Sequence, residues 1–317
     1  MTLLPSLVLI GGCVLLYFGA DSLVVGASRI AVGMGFPKAI AGLTLVAVGT
    51  SAPELFVNLL SASRGHTEFA MSNISGSNLA NLCIGFGICT LIAAVPIPRA
   101  TFGADLLFLA VTPALIVAVL LVPPQHVLNF SSIGPLTLGL VAYGISLLRR
   151  AMVPAAELDQ ADGRALLAGG IARFCVGSVL LYCGAELVLH MSIRLAEALE
   201  ISEAVIGLTI VAAGTSVPDI TASIVATLRK EHDIAVGNLL GSNISNILFV
   251  LNGTLWVAGS DVRTDWLGTV DYVAVLAVSA LFSAWSWSGQ RLPRGLGVPL
   301  LLIYVVYMGV RVFEVGA

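Results

Sequence analysis

Ten apolar segments, each far too long for a β-strand, account for most of this 317-residue chain. A helix needs about 20 predominantly apolar residues to cross the roughly 30 Å hydrocarbon core of a bilayer, and the segments have about that length or more. Little sequence remains for a soluble domain. The pattern therefore predicts an all-α membrane protein of ten transmembrane helices, at residues 3–32, 37–63, 69–95, 104–122, 132–148, 165–196, 202–228, 233–258, 270–288 and 295–313.

The composition agrees with a protein whose main partner is the lipid bilayer. Apolar residues make up 58% of the chain and charged residues only 10%, with a formal net charge of −3. So small and dispersed a charge excludes a nucleic-acid-binding surface. The five cysteines lie within apolar segments and lack the spacing of a metal site, which indicates small buried side chains. No cofactor and no obligatory protein partner is evident.

The basic residues predict the orientation in the cell (inner) membrane. When successive loops are assigned to alternate sides, eleven basic residues fall on one side and four on the other. By the positive-inside rule the richer side is cytoplasmic, which places both termini outside and the linker 149–164 inside. The two sets are Arg29, Lys38, Arg99, Arg149, Arg150, Arg164, Arg173, Arg229, Lys230, Arg291 and Arg294, and Arg64, Arg194, Arg263 and Arg311.

An internal repeat relates the two halves of the chain at a constant offset of 165 residues. Residues 42–54, GLTLVAVGTSAPE, match residues 207–219, GLTIVAAGTSVPD, at nine of thirteen positions. Residues 70–81 match residues 235–246 at six of twelve positions, and YFGAD at 17–21 answers YCGAE at 182–186. Three matches at one offset indicate a duplication.

The duplication predicts two five-helix repeats, residues 1–148 and 165–317, joined by the cytoplasmic linker 149–164. Because five is odd, the second repeat enters the membrane in the opposite orientation. Inverted repeats are a recurrent architecture of secondary transporters, since a pseudo-two-fold axis in the membrane plane relates two conformations that open to opposite sides.

Each repeat carries one acidic residue deep in an apolar segment. Glu54 lies twelve residues beyond Gly42, so it stands about 18 Å along its helix, close to the middle of the bilayer. Asp219 has the equivalent depth. A charged side chain at the bilayer centre costs at least about 2.5–3.5 kcal/mol on insertion scales, so an intramembrane acid is a functional candidate.

The surroundings of both acids are rich in oxygen. Prolines 53 and 218 precede the acids and free the carbonyls of Gly49 and Gly214, which predicts that helices 2, 3, 7 and 8 are interrupted and form the core. Carboxylates, hydroxyls, amides and carbonyls without His or Cys favour a hard cation such as Ca²⁺ or Na⁺. The hydroxyls and amides belong to Thr50, Ser51, Thr215, Ser216, Ser77, Asn78, Asn81, Ser242, Asn243 and Asn246.

The paired G-T-S-x-P-[ED] and G-S-N-x-x-N blocks resemble the two alpha repeats of the Ca²⁺/cation antiporter superfamily, most of all compact prokaryotic sodium/calcium exchangers. The resemblance implies that the carboxylates of Glu54 and Asp219 hold Ca²⁺ with the carbonyls of Thr50 and Thr215. It also implies that the first and sixth helices, which carry Asp21 and Glu186, slide across the other eight. The Na⁺ ligands it implies are Ser51, Ser77 and the Ala47 carbonyl at one site and Ser216, Ser242 and the Ala212 carbonyl at another, with Asn81 and Asn246 between them.

The sequence departs from the family pattern in ways that bear on coupling. TSVPD around Asp219 is closer to potassium-dependent members, yet Asn246 stands where those members have Asp. Ser72 replaces a Gly that its repeat partner Gly237 retains. The G-N-x-x-E signature of cation/proton exchangers is absent.

The resulting hypothesis is an antiporter, not an enzyme, that uses the Na⁺ gradient to extrude Ca²⁺. The sequence does not give the stoichiometry, but the family resemblance implies more than two Na⁺ per Ca²⁺, and from this we expect electrogenic exchange. A potassium-dependent or proton-coupled calcium/cation antiporter is the alternative. From other classes, a passive cation channel and an intramembrane aspartyl-type protease, which needs two carboxylates that share a proton, stay open.

Overall fold

Long helices form almost all of the computed structural model, which describes residues 3–121, 127–128, 130–152, 160–198, 212–259, 262–263, 266–289 and 291–316. Eight helices in these ranges are long and apolar enough to cross a membrane. The helices are α1 Leu3–Met34, α2 Lys38–Ser63, α3 Thr67–Ile92, α4 Arg99–Leu121, α5 Phe130–Ala151, α6 Gln160–Ala198, α7 Ala212–Thr215 with Val217–Leu228, α8 His232–Ala258, α9 Trp266–Gly289 and α10 Gly297–Gly316.

The predicted all-helical membrane fold is confirmed. A helix stands at every predicted segment, and α5 and α7 are the two outside the set of eight. Residues 202–211 of the seventh predicted segment lie outside the described residues. Ten membrane crossings, arranged as two inverted repeats, therefore stay a prediction.

The core helices are irregular, but not where the prolines predict. Pro53 lies inside the continuous α-helical part of α2, and the irregular turn comes earlier, at Gly42–Val46, which is π-helical. One lost hydrogen bond at a proline is tolerated where neighbouring helices pack on both sides. In α7 the interruption does fall at the predicted place, because Ser216 separates the helical segments on either side of it.

Equivalent π-helical turns occur in α3 and α8. They span Asn81–Gly85 and Asn246–Leu251, so each begins at one of the asparagines that the repeat pairs. Such turns are rare and concentrate at functional sites. These two helices are also the most deeply buried spans, and they run through the middle of the molecule beside α2 and α7.

Helices α1 and α6 form a tightly packed antiparallel pair. A Cβ atom on Gly19 would lie 2.4 Å from the Leu181 nitrogen, and one on Gly177 would lie 2.4 Å from the Leu23 nitrogen. Only glycine permits so close an approach of two helix backbones. The glycines recur every seven residues, at Gly12, Gly19 and Gly26 in α1 and at Gly170, Gly177 and Gly184 in α6.

Two short antiparallel strand pairs join the halves outside the helices. Strand β1, Val95–Pro96, pairs with β4, Arg291–Leu292, and β2, Val127–Leu128, pairs with β3, Val262–Arg263. Paired strands lie on one side of a membrane, so the chain must cross an even number of times between them. Six of the helices separate β1 from β4 and four separate β2 from β3, which is compatible with the predicted alternation.

A buried ion pair fastens α4 to α5. The Arg150 guanidinium donates to both oxygens of Asp105, at 2.6 and 2.8 Å, and the Tyr143 hydroxyl donates to Asp105 Oδ1 at 3.2 Å. The Asp105 side chain is fully buried. Its bidentate partner balances the charge that burial would otherwise leave uncompensated.

The second half repeats this arrangement between α9 and α10. Tyr307 donates to Asp271 Oδ1 at 2.9 Å, and Arg311 Nε lies 3.2 Å from the same oxygen. The positive-inside count treats Arg150 and Arg311 as residues that orient the chain at the membrane surface, whereas both side chains bind acids buried in the helices. Leaving them out keeps a bias of ten basic residues against three.

We predict that Gly19→Ala destabilises the protein by about 1–3 kcal/mol, because the added methyl overpacks the α1–α6 contact. The matched control is Gly11→Ala in the same helix, where an added Cβ meets nothing within 4 Å. The control should leave the midpoint of thermal unfolding in detergent unchanged or slightly raised. Equal midpoints for the two variants would contradict the close packing.

Candidate functional site

The two intramembrane acids lie together at the centre of the helix bundle. Glu54 on α2 is 1% exposed and Asp219 on α7 is 0% exposed. Ser216 beside Asp219 donates to Glu54 Oε1 at 3.2 Å, and Ser51 beside Glu54 lies 3.3 Å from both Asp219 oxygens. Each half thus supplies a hydroxyl to the carboxylate of the other half.

Helices α3 and α8 complete the site with the predicted hydroxyls and amides. Asn81 Nδ2 donates to Asp219 Oδ2 at 2.9 Å, Ser242 Oγ lies 3.1 Å from Ser51 Oγ, and Ser77 Oγ lies 3.3 Å from Thr215 Oγ1. All three helix-borne side chains are buried. The sequence prediction that these residues converge is therefore matched by their positions.

The two threonine hydroxyls have a different role from the one that the sequence suggests. Thr50 Oγ1 lies 2.8 Å from the Val46 carbonyl of its own helix and 3.1 Å from Asn238 Oδ1, and Thr215 donates to Asn73 Oδ1 at 3.1 Å. They are thus engaged with asparagines of the neighbouring helices. This contact is the same in both halves, since Thr215 and Asn238 are the repeat partners of Thr50 and Asn73.

Asn73 and Asn238 are site residues that the sequence analysis passes over. Asn238 Nδ2 donates to the Ser223 hydroxyl at 2.8 Å and to the Asp219 carbonyl at 2.9 Å, while Asn73 Nδ2 donates to Asn58 Oδ1 at 3.3 Å. They lie behind the acids and hold α3 and α8 against α7 and α2. Their identity at the 165-residue offset is the signal that could have found them.

The remaining predicted residues lie along the same helices. Ala47, whose side chain is buried, follows the π-helical turn of α2, and its carbonyl accepts from Thr50 Oγ1 at 3.3 Å. Ala212 is the first described residue of α7. Asn246 lies at the start of the π-helical turn of α8 and donates to Asn78 Oδ1 at 3.2 Å, not to a carboxylate.

Several buried acceptor oxygens in this region receive no hydrogen bond from the residues that the structure describes. They are Glu54 Oε2, Asn81 Oδ1, Asn243 Oδ1 and Asn246 Oδ1. Buried polar atoms are nearly always partnered, so acceptors left over in one region fit the coordination of a cation. In the described part of the chain, no three His, Cys, Asp or Glu residues cluster as a metal site, so two carboxylates and neutral oxygens make up the donor set.

A cavity of about 370 Å³ opens beside the site between α2 and α6. Pro53, next to Glu54, and Gly49 form part of its α2 wall. Glu186 and Tyr182 lie on its α6 wall. The cavity therefore reaches the residue next to one of the two acids, while Glu54 itself stays buried.

The chain is similar to known proteins over nearly its whole length. A profile of the family described as "Sodium/calcium exchanger protein" matches residues 4–151 and 169–313. The inner membrane protein YrbG of Escherichia coli is 30% identical, with 96% of each chain covered. The sodium/calcium exchanger MaX1 of Methanosarcina acetivorans is 27% identical, with 95% of this chain and 97% of MaX1 covered.

The fold also matches a solved structure. The sodium/calcium exchanger from Methanococcus jannaschii superposes with a TM-score of 0.81 at 22% identity, over 98% of this chain and 99% of that chain. At this identity the match establishes the shared fold. The two regions that the family profile matches correspond closely to the two halves that the sequence repeat defines.

We predict that Thr50→Val destabilises the protein by about 1–3 kcal/mol, because it leaves the buried Asn238 Oδ1 without its donor. Thr44→Val is the matched control, since among the described residues the Thr44 hydroxyl bonds only the Ile40 carbonyl of its own helix, at 2.6 Å. Thermal unfolding in detergent measures both. If Thr44→Val were as destabilising as Thr50→Val, the contact between Thr50 and Asn238 could not account for the loss of stability.

Proposed function

Because this chain belongs to the sodium/calcium exchanger family, we propose that it is a secondary antiporter that exchanges Na⁺ for Ca²⁺ through one site at the bilayer midplane. Membership makes it a multi-pass membrane transporter of the cation-antiport class. Na⁺ coupling and outward Ca²⁺ movement are the finer parts of the proposal. The name of MaX1, a sodium/calcium exchanger similar over nearly its whole length, supports Na⁺ coupling.

The observation that carries the proposal is the pair of buried carboxylates without a cationic partner. Glu54 and Asp219 receive hydrogen bonds from neutral hydroxyl and amide groups only, among the residues that the structure describes. Two negative charges so placed need positive charge. A mobile Ca²⁺ or a set of Na⁺ ions would supply it, and either would be bound by the hard oxygen donors present.

We assign the ligands on the same basis. The carboxylates of Glu54 and Asp219 and the carbonyls of Thr50 and Thr215 would hold Ca²⁺. Na⁺ would replace it at two places, each near one half's hydroxyls. The proposed Na⁺ ligands are Ser51, Ser77 and the Ala47 carbonyl, and Ser216, Ser242 and the Ala212 carbonyl, with Asn81 and Asn246 between the two places.

Alternating access would follow from two inverted five-helix repeats, residues 1–148 and 165–317. The reciprocal bonds Ser51–Asp219 and Ser216–Glu54 support a pseudo-two-fold axis through the site. The strand pairs support the axis as well. In the repeat β1 corresponds to β3 and β2 corresponds to β4, so a two-fold rotation converts the β1–β4 pair into the β3–β2 pair. The cytoplasmic linker 149–164 and external termini complete this proposed topology.

We predict that Glu54→Gln and Asp219→Asn each reduce Na⁺-gradient-driven Ca²⁺ flux in proteoliposomes to the level of empty liposomes. Each change keeps the shape of the side chain and removes the charge that binds the ion. Glu68→Gln, at an exposed acid in the first turn of α3, is the matched control and should transport normally. Undiminished flux in either site variant would overturn the assignment.

The same vesicles separate the rival functions. Flux that needs K⁺ on the Ca²⁺ side would favour a potassium-dependent exchanger, and flux driven by a pH gradient alone would favour proton coupling. Ca²⁺ movement with no dependence on any counter-ion would favour a channel. Peptide cleavage by protein that binds neither ion would favour the protease.

We further predict electrogenic exchange. One Ca²⁺, or one Na⁺ at each of the two proposed places, neutralises the two carboxylates, whereas any further Na⁺, as the family resemblance implies, would carry excess positive charge through the site. If one net charge moves per cycle, a clamped potential of ~60 mV shifts the equilibrium Ca²⁺ ratio about tenfold. Valinomycin and set K⁺ gradients impose the potential, and a ratio indifferent to it would refute the prediction.

A further inference from the structure

One ion pair is formed on only one side of the molecule, although the residues that could form it are equivalent in the two repeats. Asp21 on α1 corresponds to Glu186 on α6, and Arg229 after α7 corresponds to Arg64 after α2, all at the 165-residue offset. The Arg229 guanidinium forms an ion pair with Asp21. Glu186 instead lies 3.6 Å from His190 on its own helix, and the exposed Arg64 has no ion pair with a described residue.

The two arginines have the same local backbone geometry. Arg64 and Arg229 are the C-caps of their helices, with φ of −95° and −79° and ψ near 0°. Each is followed by a residue with positive φ, Gly65 at 82° and Lys230 at 62°. The helix ends are therefore built alike, and only the position of the acid relative to the arginine differs.

The packing also differs between the two sides: helices pack closely on the Arg229 side and are separated by a cavity on the Arg64 side. On the Arg229 side, α1 and α7 bury Leu23, Ala27 and Ala226 in one continuous apolar cluster. Lys38 Nζ also binds both oxygens of Glu231 at 2.8 Å on this side. On the Arg64 side, the cavity of about 370 Å³ separates α2 from α6, and Glu186 lies on its wall.

We propose that Asp21–Arg229 and Glu186–Arg64 are alternating latches, each closing one side of the transporter, of which this conformation has the first closed and the second open. In an inverted repeat, exchanging the conformations of the halves converts one access state into the other. Glu186 would then meet Arg64 as Asp21 now meets Arg229, and the α1–α7 side would open. The inference rests on the proposed antiport function and adds the residues that set its conformational balance.

The latches predict opposite effects for neutralising the two acids. Asp21→Asn weakens the closed latch and raises the population of the other state. Glu186→Gln and Arg64→Gln weaken the latch of that other state and lower its population. Partly exposed ion pairs are weak, so each change should shift the equilibrium about two- to fivefold.

Cysteine labelling measures this equilibrium. Val217 packs against the α1–α7 cluster and becomes accessible when that side opens, whereas its repeat partner Ala52 lies on the open cavity. Each is changed to Cys in a variant with all five native cysteines replaced. A water-soluble maleimide is then added on both sides of the proteoliposomes.

For Val217→Cys we expect faster labelling with Asp21→Asn and slower labelling with Glu186→Gln or Arg64→Gln. Ala52→Cys should respond in the opposite direction. The swap Arg64→Glu with Glu186→Arg should restore the parental rates, and it tests the pair even if one single variant folds poorly. Shifts in the same direction for both acids, or no shift for either, would overturn the latches.

Flux separates failure of this inference from failure of the proposed function. Na⁺-driven Ca²⁺ flux of the parent protein is measured in the same vesicles. If flux is present and the labelling rates do not move in opposite directions, the latches are wrong and the exchanger remains. If flux is absent, the proposed function is wrong, whatever the labelling shows.

Discussion

Two carboxyl groups buried at the centre of the bundle are the constraint on which the rest of this structure depends. In the part of the chain that the structure describes, four acids are buried in the membrane helices, and they have two kinds of partner. Asp105 and Asp271 each receive an arginine and a tyrosine, which neutralise them and fasten neighbouring helices together. Glu54 and Asp219 receive only hydroxyls and amides in the described residues. A buried charge without a counter-charge is costly. The central pair, when ionised, therefore needs cations as counter-charges, whereas the outer pair already has its arginines.

Neutral donors suit a site that must exchange its occupant. An arginine beside Glu54 or Asp219 would satisfy the carboxylate permanently and compete with every incoming ion. Serine and asparagine side chains can donate a hydrogen bond to a carboxylate and can also coordinate a cation through their oxygen atoms, so the same side chains stabilise the site with and without an ion. The threonines and Asn73 and Asn238 fix the backbone around them. In the proposed site, rigidity would therefore come from side chains that are not ion ligands, and adaptability from the side chains that are.

The sequence predicts those features of the fold and the site that depend on helix length, on position along a helix and on the internal duplication. Apolar length gives the helices, the 165-residue offset gives the equivalences, and position along a helix gives the depth of Glu54 and Asp219. Partners across helices depend on how each helix is rotated, which hydropathy does not report. Arg150 and Arg311 near helix ends therefore look like loop residues, although they bind buried acids. Likewise, a proline marks a lost hydrogen bond but not whether neighbours compensate for it, so α2 stays helical through Pro53 and departs from α-helical geometry at Gly42–Val46.

The imperfections of the repeat matter as much as its symmetry. Two identical halves would give the two access states equal free energies, and ions alone would bias them. Here Glu54 faces Asp219, one methylene shorter, and Asn81 binds the carboxylate of Asp219 whereas Asn246 binds Asn78. Each such difference stabilises one state over the other, and about 1.4 kcal/mol is enough for a tenfold population bias. A transporter that must cycle cannot accumulate many of them in one direction. The two halves remain most alike in the blocks around the two acids, residues 42–54 and 207–219, where such a bias would act directly on the proposed ion site.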